Sequence, residues 1–414
     1  MIISRRLLLQ TLASSSLISF SFDSAAQAGA LASYEGPETR PVTDVLSASS
    51  LTGPHYKIGP TVYTFDYLNE YAVKSDYGDF TASSDAMLRR LRREIAAIAA
   101  LAQVKQSDAF KKAALEAAKG PIRGAKNLIN DPVKTVSAIP ASIGSIFNRV
   151  GESIDRGGHS QYEDSTAASL LSVSSFKRDY AKKLGIDVYS SNPVLQEALN
   201  GVGWASAAGN LSISVVTVVS GSAALSAVSN IGLLDKAENI VASTPAPELS
   251  KLNRADLKNM AVTDKTADAF LSNKALSPRH QTLIVAAMKA LGNIPGRAGF
   301  IAYAAGADSE NAAFIFQQMA ELLAGYHAKM AKLKKIDFSL TLPAALTAQK
   351  TIMLLPLDRL LWTQRASAVC AGLAKAKAPE LWLTGTASAR TTGELQAAKI
   401  TLVEGAGKQI HLVD

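Results

Sequence analysis

Between Glu197 and Asp235 the chain carries no Asp, Glu, Lys or Arg, and this uncharged run constrains the fold more than any other stretch. Its centre, Leu211-Ser-Ile-Ser-Val-Val-Thr-Val-Val219, is bracketed by small residues, among them Gly209, Ser220, Gly221 and Ala224. A run of this length can span a bilayer, insert as a hairpin, or form the buried centre of a helical domain. Seven serines and three asparagines interrupt it. No basic cluster flanks it to set an orientation, and its Val and Thr content makes its helix propensity modest. Amphipathic segments on either side need an apolar partner. Residues 198–234 therefore read as a core hairpin at the centre of a helical body, residues 160–334, ahead of a membrane span.

The first 28 residues read as an export signal. Ser4-Arg5-Arg6 precedes Leu7-Leu8-Leu9 and a moderately apolar, Ser-rich run, and Ala26-Gln27-Ala28 supplies a small-residue cleavage site. Ser-Arg-Arg-x-x-Leu resembles a twin-arginine signal, with the general secretory route and a retained anchor as alternatives. Cleavage near Ala28-Gly29 would leave the mature chain in the periplasm or cell envelope of a Gram-negative bacterium. Cys370 is the only cysteine, which excludes an intramolecular disulfide and a cysteine-based metal cluster.

Residues 29–84 are rich in Tyr, Thr, Val, Pro and Gly. Alternation at 56–58, 61–65, 71–73 and 79–81 predicts short strands, with Tyr77-Gly78 as a turn. Residues 85–156 then switch to amphipathic helix. Ser84 or Asp85 opens a seam of Leu88, Leu91, Ile95, Ile98 and Ala102, and a second helix follows from Ser107. This zone holds twelve Lys and Arg against five Asp and Glu between Asp85 and Gly151, the whole surplus of the mature chain. Arg89, Arg90, Arg92 and Arg93 crowd the first turns, the wrong end for the helix dipole, at a cost of about a few tenths of a kcal/mol each. One reading is a solvated basic face. The functional reading is a surface for an anionic lipid layer or another envelope protein, formed by Arg89, Arg90, Arg92, Arg93, Lys111, Lys112, Arg123 and Lys126. No nucleic-acid partner is expected, because neither a recognised fold nor an aromatic stacking pattern accompanies the charge.

Beyond Asp235 the pattern stays helical to residue 334, with Asn192-Pro193 and Ser277-Pro278 as helix starts. Residues 336–414 change period. Strands are predicted at 336–342, 351–355, 380–384 and 400–403, with helices at 358–374 and 386–397 and an edge at 409–413. Strand–helix–strand with short links predicts parallel crossovers in a small α/β domain. The expected fold class is α+β, predominantly helical.

Motifs for chemistry are sparse. There is no Gly-x-Ser-x-Gly elbow and no His-Glu-x-x-His, and the five histidines do not fall at metal-ligand spacing, so no metal or cofactor is expected. Gly201-Val-Gly203 follows a helix rather than a strand and is not a dinucleotide loop. The candidate ligand site is Thr384, Gly385, Thr386 and Ser388, at the carboxyl end of a parallel strand and the start of a helix, where N–H groups hold anions. Asp358 follows the neighbouring strand, with Arg359 as its charge partner, and is a candidate catalytic group beside His280 and His327, either of which could act as a general base. Structural readings stand beside each: Thr386 as a cap, Asp358 as a helix start, both histidines as packing residues, Cys370 as core filler.

Val73-Lys-Ser-Asp-Tyr-Gly-Asp-Phe80, Asp187-Val-Tyr-Ser-Ser-Asn-Pro-Val-Leu-Gln196, Ser277-Pro-Arg-His-Gln281 and Glu380-Leu-Trp-Leu-Thr-Gly385 together resemble an uncharacterised family of exported proteobacterial proteins. The resemblance covers most of the mature chain and implies one continuous architecture; it supplies no activity and no site residues. The function expected is a non-enzymatic envelope protein that associates through its basic helices, with a periplasmic enzyme or small-ligand binder using the C-terminal domain as the alternative.

Overall fold

The computed structural model describes residues 34–112, 168–209, 232–410 and 412–413. The export signal, Arg123, Lys126 and residues 210–231 at the centre of the uncharged run lie outside the described residues.

The chain begins with an antiparallel sheet of β1 (Glu38–Pro41), β2 (Thr52–Gly53), β3 (Tyr56–Phe65), β4 (Leu68–Ser75) and β5 (Gly78–Ala82), ordered β1-β3-β4-β5 with β2 also pairing with β3. The two strands expected at 56–58 and 61–65 are one, with a register shift between Ile58 and Val62 where Gly59-Pro60 interrupts the ladder. Alternation on β4 turns Tyr71 and Val73 inward and Glu70, Ala72 and Lys74 outward. The β3–β4 turn places Asp66 and Tyr67 at φ of 48° and 68°. Such left-handed backbone costs a residue with a side chain roughly 1–2 kcal/mol. Tertiary contacts offset that cost. Tyr67 is buried in the main core, its carbonyl accepts the N–H groups of Asp358 and Arg359 at 3.1 Å, and its hydroxyl bonds Thr363. The tip of the N-terminal hairpin is thus plugged into the main core beside residues 358–363.

Helix α1 (Asp85–Gln106) starts at Ser84, whose side chain accepts the Met87 N–H. Its seam serves two clusters in turn: Leu88, Leu91 and Ile95 close the sheet, and Ile98 and Leu101 pack among α2 (Ala168–Leu184) and α3 (Pro193–Gly209). Gly203 lets α3 approach α2 closely, since a Cβ there would meet the Val173 carbonyl at 3.2 Å and the Lys177 side chain at 3.1 Å. The flanks of the uncharged run are core, with Leu199, Val202 and Ala205 in one cluster and Leu234 in another.

The body continues through α4 (Gly232–Ser243), α5 (Ala246–Asn259), α6 (Asp264–Leu271), α7 (Pro278–Ala290), α8 (Arg297–Ala304) and α9 (Glu310–Lys329). Every residue from Ala312 to Tyr326 on α9 is buried, including Gln317, Gln318 and Glu321. A helix apolar nearly all round belongs at a centre; α9 is the axis of the described body.

The C-terminal region holds β6 (Lys335–Asp337), β7 (Ala344–Leu346), β8 (Thr351–Leu355), β9 (Arg359–Leu360), α10 (Gln364–Leu373), β10 (Pro379–Leu383), β11 (Thr386–Ala387), α11 (Ala389–Ala397) and β12 (Thr401–Val403), and its core is continuous with that of the helical body. The main sheet runs β12-β10-β8-β7-β6, parallel from β8 to β12 and antiparallel at β7 and β6. The expected crossovers are present. Two helix starts shift: α10 begins at Gln364 under a Thr363 cap, and α11 at Ala389 under Ser388, because residues 359–360 and 386–387 pair as a small parallel ladder. The expected edge at 409–413 does not join the sheet. Val413 instead gives its N–H to Glu321 at 2.9 Å and takes one from Gln317 at 3.2 Å.

Candidate functional site

The C-terminal rim is filled by the chain's own groups. The Thr384 hydroxyl donates to the Leu357 carbonyl at 3.0 Å, and the Gly385 and Thr386 N–H groups go to Leu357 and Asp358 carbonyls at 2.8 and 3.0 Å. A Cβ on Gly385 would lie 2.0 Å from the Asp358 carbonyl oxygen, so glycine is required there by a crossing backbone. Ser388 caps α11 by accepting the Thr391 N–H and donates its own hydroxyl to Glu35 at 2.6 Å. Glu404 takes the Ala387 N–H at 2.6 Å. Glu35 and Glu404 sit where an anion was expected, and the recorded hydrogen bonds of Thr384, Gly385, Thr386 and Ser388 go to groups of the chain itself.

Asp358 is not paired with Arg359, whose guanidinium turns to Glu38 at 3.0 Å and the Ala387 carbonyl at 2.8 Å. The Asp358 carboxylate accepts the N–H groups of Asn69 at 2.9 Å and Asp85 at 3.1 Å, pinning the start of α1 and the hairpin to the C-terminal region. Burial, followed by the nearby Asp85 carboxylate, raises its pKa well above the usual carboxylate range, and the two N–H donors offset only part of this. The void beside it, bordered by Ser84, Asn311 and Gln318, holds about 10 Å³. That is room for about one water, so Asp358 reads as a clasp between distant segments of the chain.

His280 is buried, with its Nδ1 bonded to Gln317 at 2.7 Å and its ring edge-on to Phe314. Burial, then Arg279 and Arg90, push its pKa down to about 3. His327 accepts the Leu333 N–H at 3.1 Å and holds the turn after α9, and burial and Lys332 lower its pKa. Burial pushes the Cys370 thiol up to about 12. Both imidazoles are therefore occupied as packing or turn-stabilising groups.

The α1 arginines do not form one basic surface. Arg89 is exposed, but Arg90 is only 6% exposed. Its Nε donates to Glu94 at 2.9 Å, and its two terminal nitrogens reach Asp187 and Glu310 at 3.3 Å. Ser190 and Asn192 complete the shell on Glu94 at 2.6 and 2.9 Å. Burial works against the Arg90 charge, but Glu94, Asp187 and Glu310 outweigh it and hold the guanidinium above its ordinary range. Arg92 donates to the Tyr56 hydroxyl at 2.6 Å and lies over that ring. The unfavourable dipole placement is thus offset by partners from distant segments. Arg90 belongs to the fold's interior, which corrects its assignment to a lipid or partner surface, while Arg92 is half-buried and engaged by Tyr56. Lys111 and Lys112 remain exposed.

Arg90 borders a cleft of about 360 Å³ between α1, the end of α2, α4 and the start of α7. Arg93, Glu94, Lys182, Asp187, Asp235, Glu238, Asn239 and Arg279 also line it, with Ile186, Val188, Val241 and Ala242 as apolar surface. Arg279 is buried, donates to Gln317 at 3.5 Å and lies 3.7 Å from Glu238. Compared with known protein families, with curated proteins and with solved structures, the chain finds no match in any of the three. The site must be read from its own geometry. Among the described residues no helix is long and apolar enough to cross a membrane, and no group of three or more His, Cys, Asp or Glu is placed to hold a metal.

Sequence reasoning singled out Arg90 and Arg93 but not their partners. Asp187 and Arg279 stood in two of the conspicuous motifs, Asp187–Gln196 and Ser277–Gln281. The misplaced arginines were the usable signal: charge at the wrong helix end needs carboxylates from elsewhere. Nothing local to Asp235 or Glu238 marked them.

Proposed function

We propose that the protein is an exported cell-envelope protein that acts by binding a compact polar ligand in the α1–α2–α4–α7 cleft. One observation carries the binding reading: the cleft joins open volume to charged side chains drawn from four elements far apart in sequence. Small-molecule seats usually hold roughly 300–1,000 Å³ with a few convergent polar groups, and 360 Å³ fits that range. Export rests on the Arg5-Arg6 signal pattern and the Ala26–Ala28 cleavage site. No cofactor enters the proposal.

A thermal-shift screen of the mature protein against amino acids, short peptides, sugars and phosphate tests it, repeated with Arg93→Ala. A compound that raises Tm in the parent and not in the variant supports the cleft. Stabilisation that survives the substitution for every active compound places binding elsewhere.

A second reading, association with an anionic lipid surface or an envelope partner protein, is favoured by exposed Lys111 and Lys112 just beyond α1. Each basic side chain near an anionic bilayer is worth about 1 kcal/mol. Co-sedimentation with anionic but not neutral vesicles at low salt is the expected result, reduced in Lys111→Glu/Lys112→Glu. Equal recovery with both vesicle types removes the electrostatic lipid reading.

A further inference from the structure

Gln317 and Glu321 lie four residues apart on α9 and so share one face of that helix. Both are fully buried. Gln317 Oε1 accepts from His280 Nδ1 at 2.7 Å and from Arg279 at 3.5 Å, which turns its NH2 group the other way. That group donates to Glu321 Oε1 at 2.9 Å and to the Val413 carbonyl at 3.2 Å. Glu321 Oε2 takes the Val413 N–H at 2.9 Å. One amide and one carboxylate thus meet both main-chain groups of a single residue, as a facing strand would. Ile410 and Val413 are buried in the main core, and Leu412 packs against it. Without this segment, Glu321 Oε2 and one N–H of Gln317 would be buried with no partner. Each such group costs about 1–3 kcal/mol, and more where it is charged.

We propose that α9 carries a peptide seat, closed in this structure by residues 410–413 acting as a strap, and that the seat accepts the same segment as a separate peptide once the strap is withdrawn. The polar pair asks only for an N–H and a C=O on one residue. Selectivity comes from the two aliphatic side chains at the 410 and 413 positions, which fill core space. The pair is set before the peptide arrives, because His280 and Arg279 on α7 hold the Gln317 carbonyl and Gln317 in turn holds Glu321. A seat ordered in advance loses little freedom on binding. This reading is independent of the cleft.

A mature chain shortened to end at Lys408, with the peptide Gln-Ile-His-Leu-Val-Asp, tests this by Tm and titration calorimetry. Shortening is expected to lower Tm, and the peptide to restore it saturably. The same peptide with proline in place of valine has no N–H for Glu321. It should bind about tenfold or more weakly, the order of one hydrogen bond to a charged group. In the shortened chain carrying Glu321→Gln, the difference between the two peptides should vanish. An unchanged Tm on shortening, no binding of the first peptide, or equal binding of both overturns the proposal. So does a preference that survives Glu321→Gln. Should the shortened chain fail to fold, full-length Val413→Asp takes its place, since a carboxylate at that buried position expels the strap and leaves the rest of the chain intact. The same peptides and the same outcomes then apply. Amide exchange on the parent gives a separate reading: a Val413 N–H that exchanges as fast as an exposed one overturns the strap.

Discussion

The C-terminal rim and the α1–α4 cleft both present helix ends, hydroxyls and charged groups, but they handle unsatisfied polarity in opposite ways. At the rim, Glu404 reaches from elsewhere in the chain to the Ala387 N–H and Glu35 to the Ser388 hydroxyl. The donors of that strand-to-helix turn are met by carboxylates of the chain itself. In the cleft, the buried centre is satisfied by Arg90 and its carboxylates, while the α4 wall keeps Asp235 and Glu238 facing open space. Candidate groups are therefore informative only after their partners are counted, since a buried donor or acceptor is rarely left unmade.

Breaking the buried half of the cleft should have the largest effect. Arg90→Met leaves Glu94 and Asp187 buried without their cation, and a loss of about 3–5 kcal/mol is expected from urea denaturation. A loss under about 1 kcal/mol would show that the network is less buried than its contacts indicate. Opening the rim comes next. Glu35→Ala strips an acceptor from the Trp362 N–H and the Ser388 hydroxyl, for about 1–3 kcal/mol. Added sulfate should recover part of the lost Tm in the variant and have less effect on the parent. If sulfate acts equally on both, the rim is not an internally occupied anion seat.

The Asp358 clasp predicts a pH dependence. Its folded pKa is raised, so its contribution is fully present below the ordinary carboxylate pKa and is lost as pH rises through the folded value. Asp358→Asn should flatten that limb of the stability profile. His280 acts at the other end. Its folded pKa is lowered to about 3, so stability is full above the unfolded value and falls as pH drops toward 3. A parent profile indistinguishable from Asp358→Asn as pH rises above the ordinary carboxylate range would remove the clasp's titration. The smallest effect is expected at the open wall. Asp235→Asn should change stability by no more than about 0.5 kcal/mol, and a larger loss would reclassify Asp235 as structural.

Much of the fold was legible because it follows local patterns. Alternation on β4, the Ser84, Asn192 and Ser277 helix starts, and the continuous apolar run of β8 are properties of a few neighbouring residues. The parallel β8–β10–β12 arrangement followed from short strand–helix–strand links. The ladder between 359–360 and 386–387, and the tail's capture by Glu321, depend on groups far apart in sequence and left no local mark. The central position of α9 was likewise hidden, since Gln317, Gln318 and Glu321 interrupt its apolar pattern, and Gln317 and Glu321 are buried with partners from distant segments.

The uncharged run shows the same division. Its composition alone demanded apolar surroundings, and the helices entering and leaving it are buried at Leu199, Val202 and Leu234. The sequence by itself determined the mixed α+β class, the helix starts, the parallel C-terminal crossovers and the anomaly of arginines at the head of α1. Only tertiary structure decided what those arginines are for, because a buried charge takes its meaning from carboxylates that are 97 and 220 residues away along the chain, at Asp187 and Glu310.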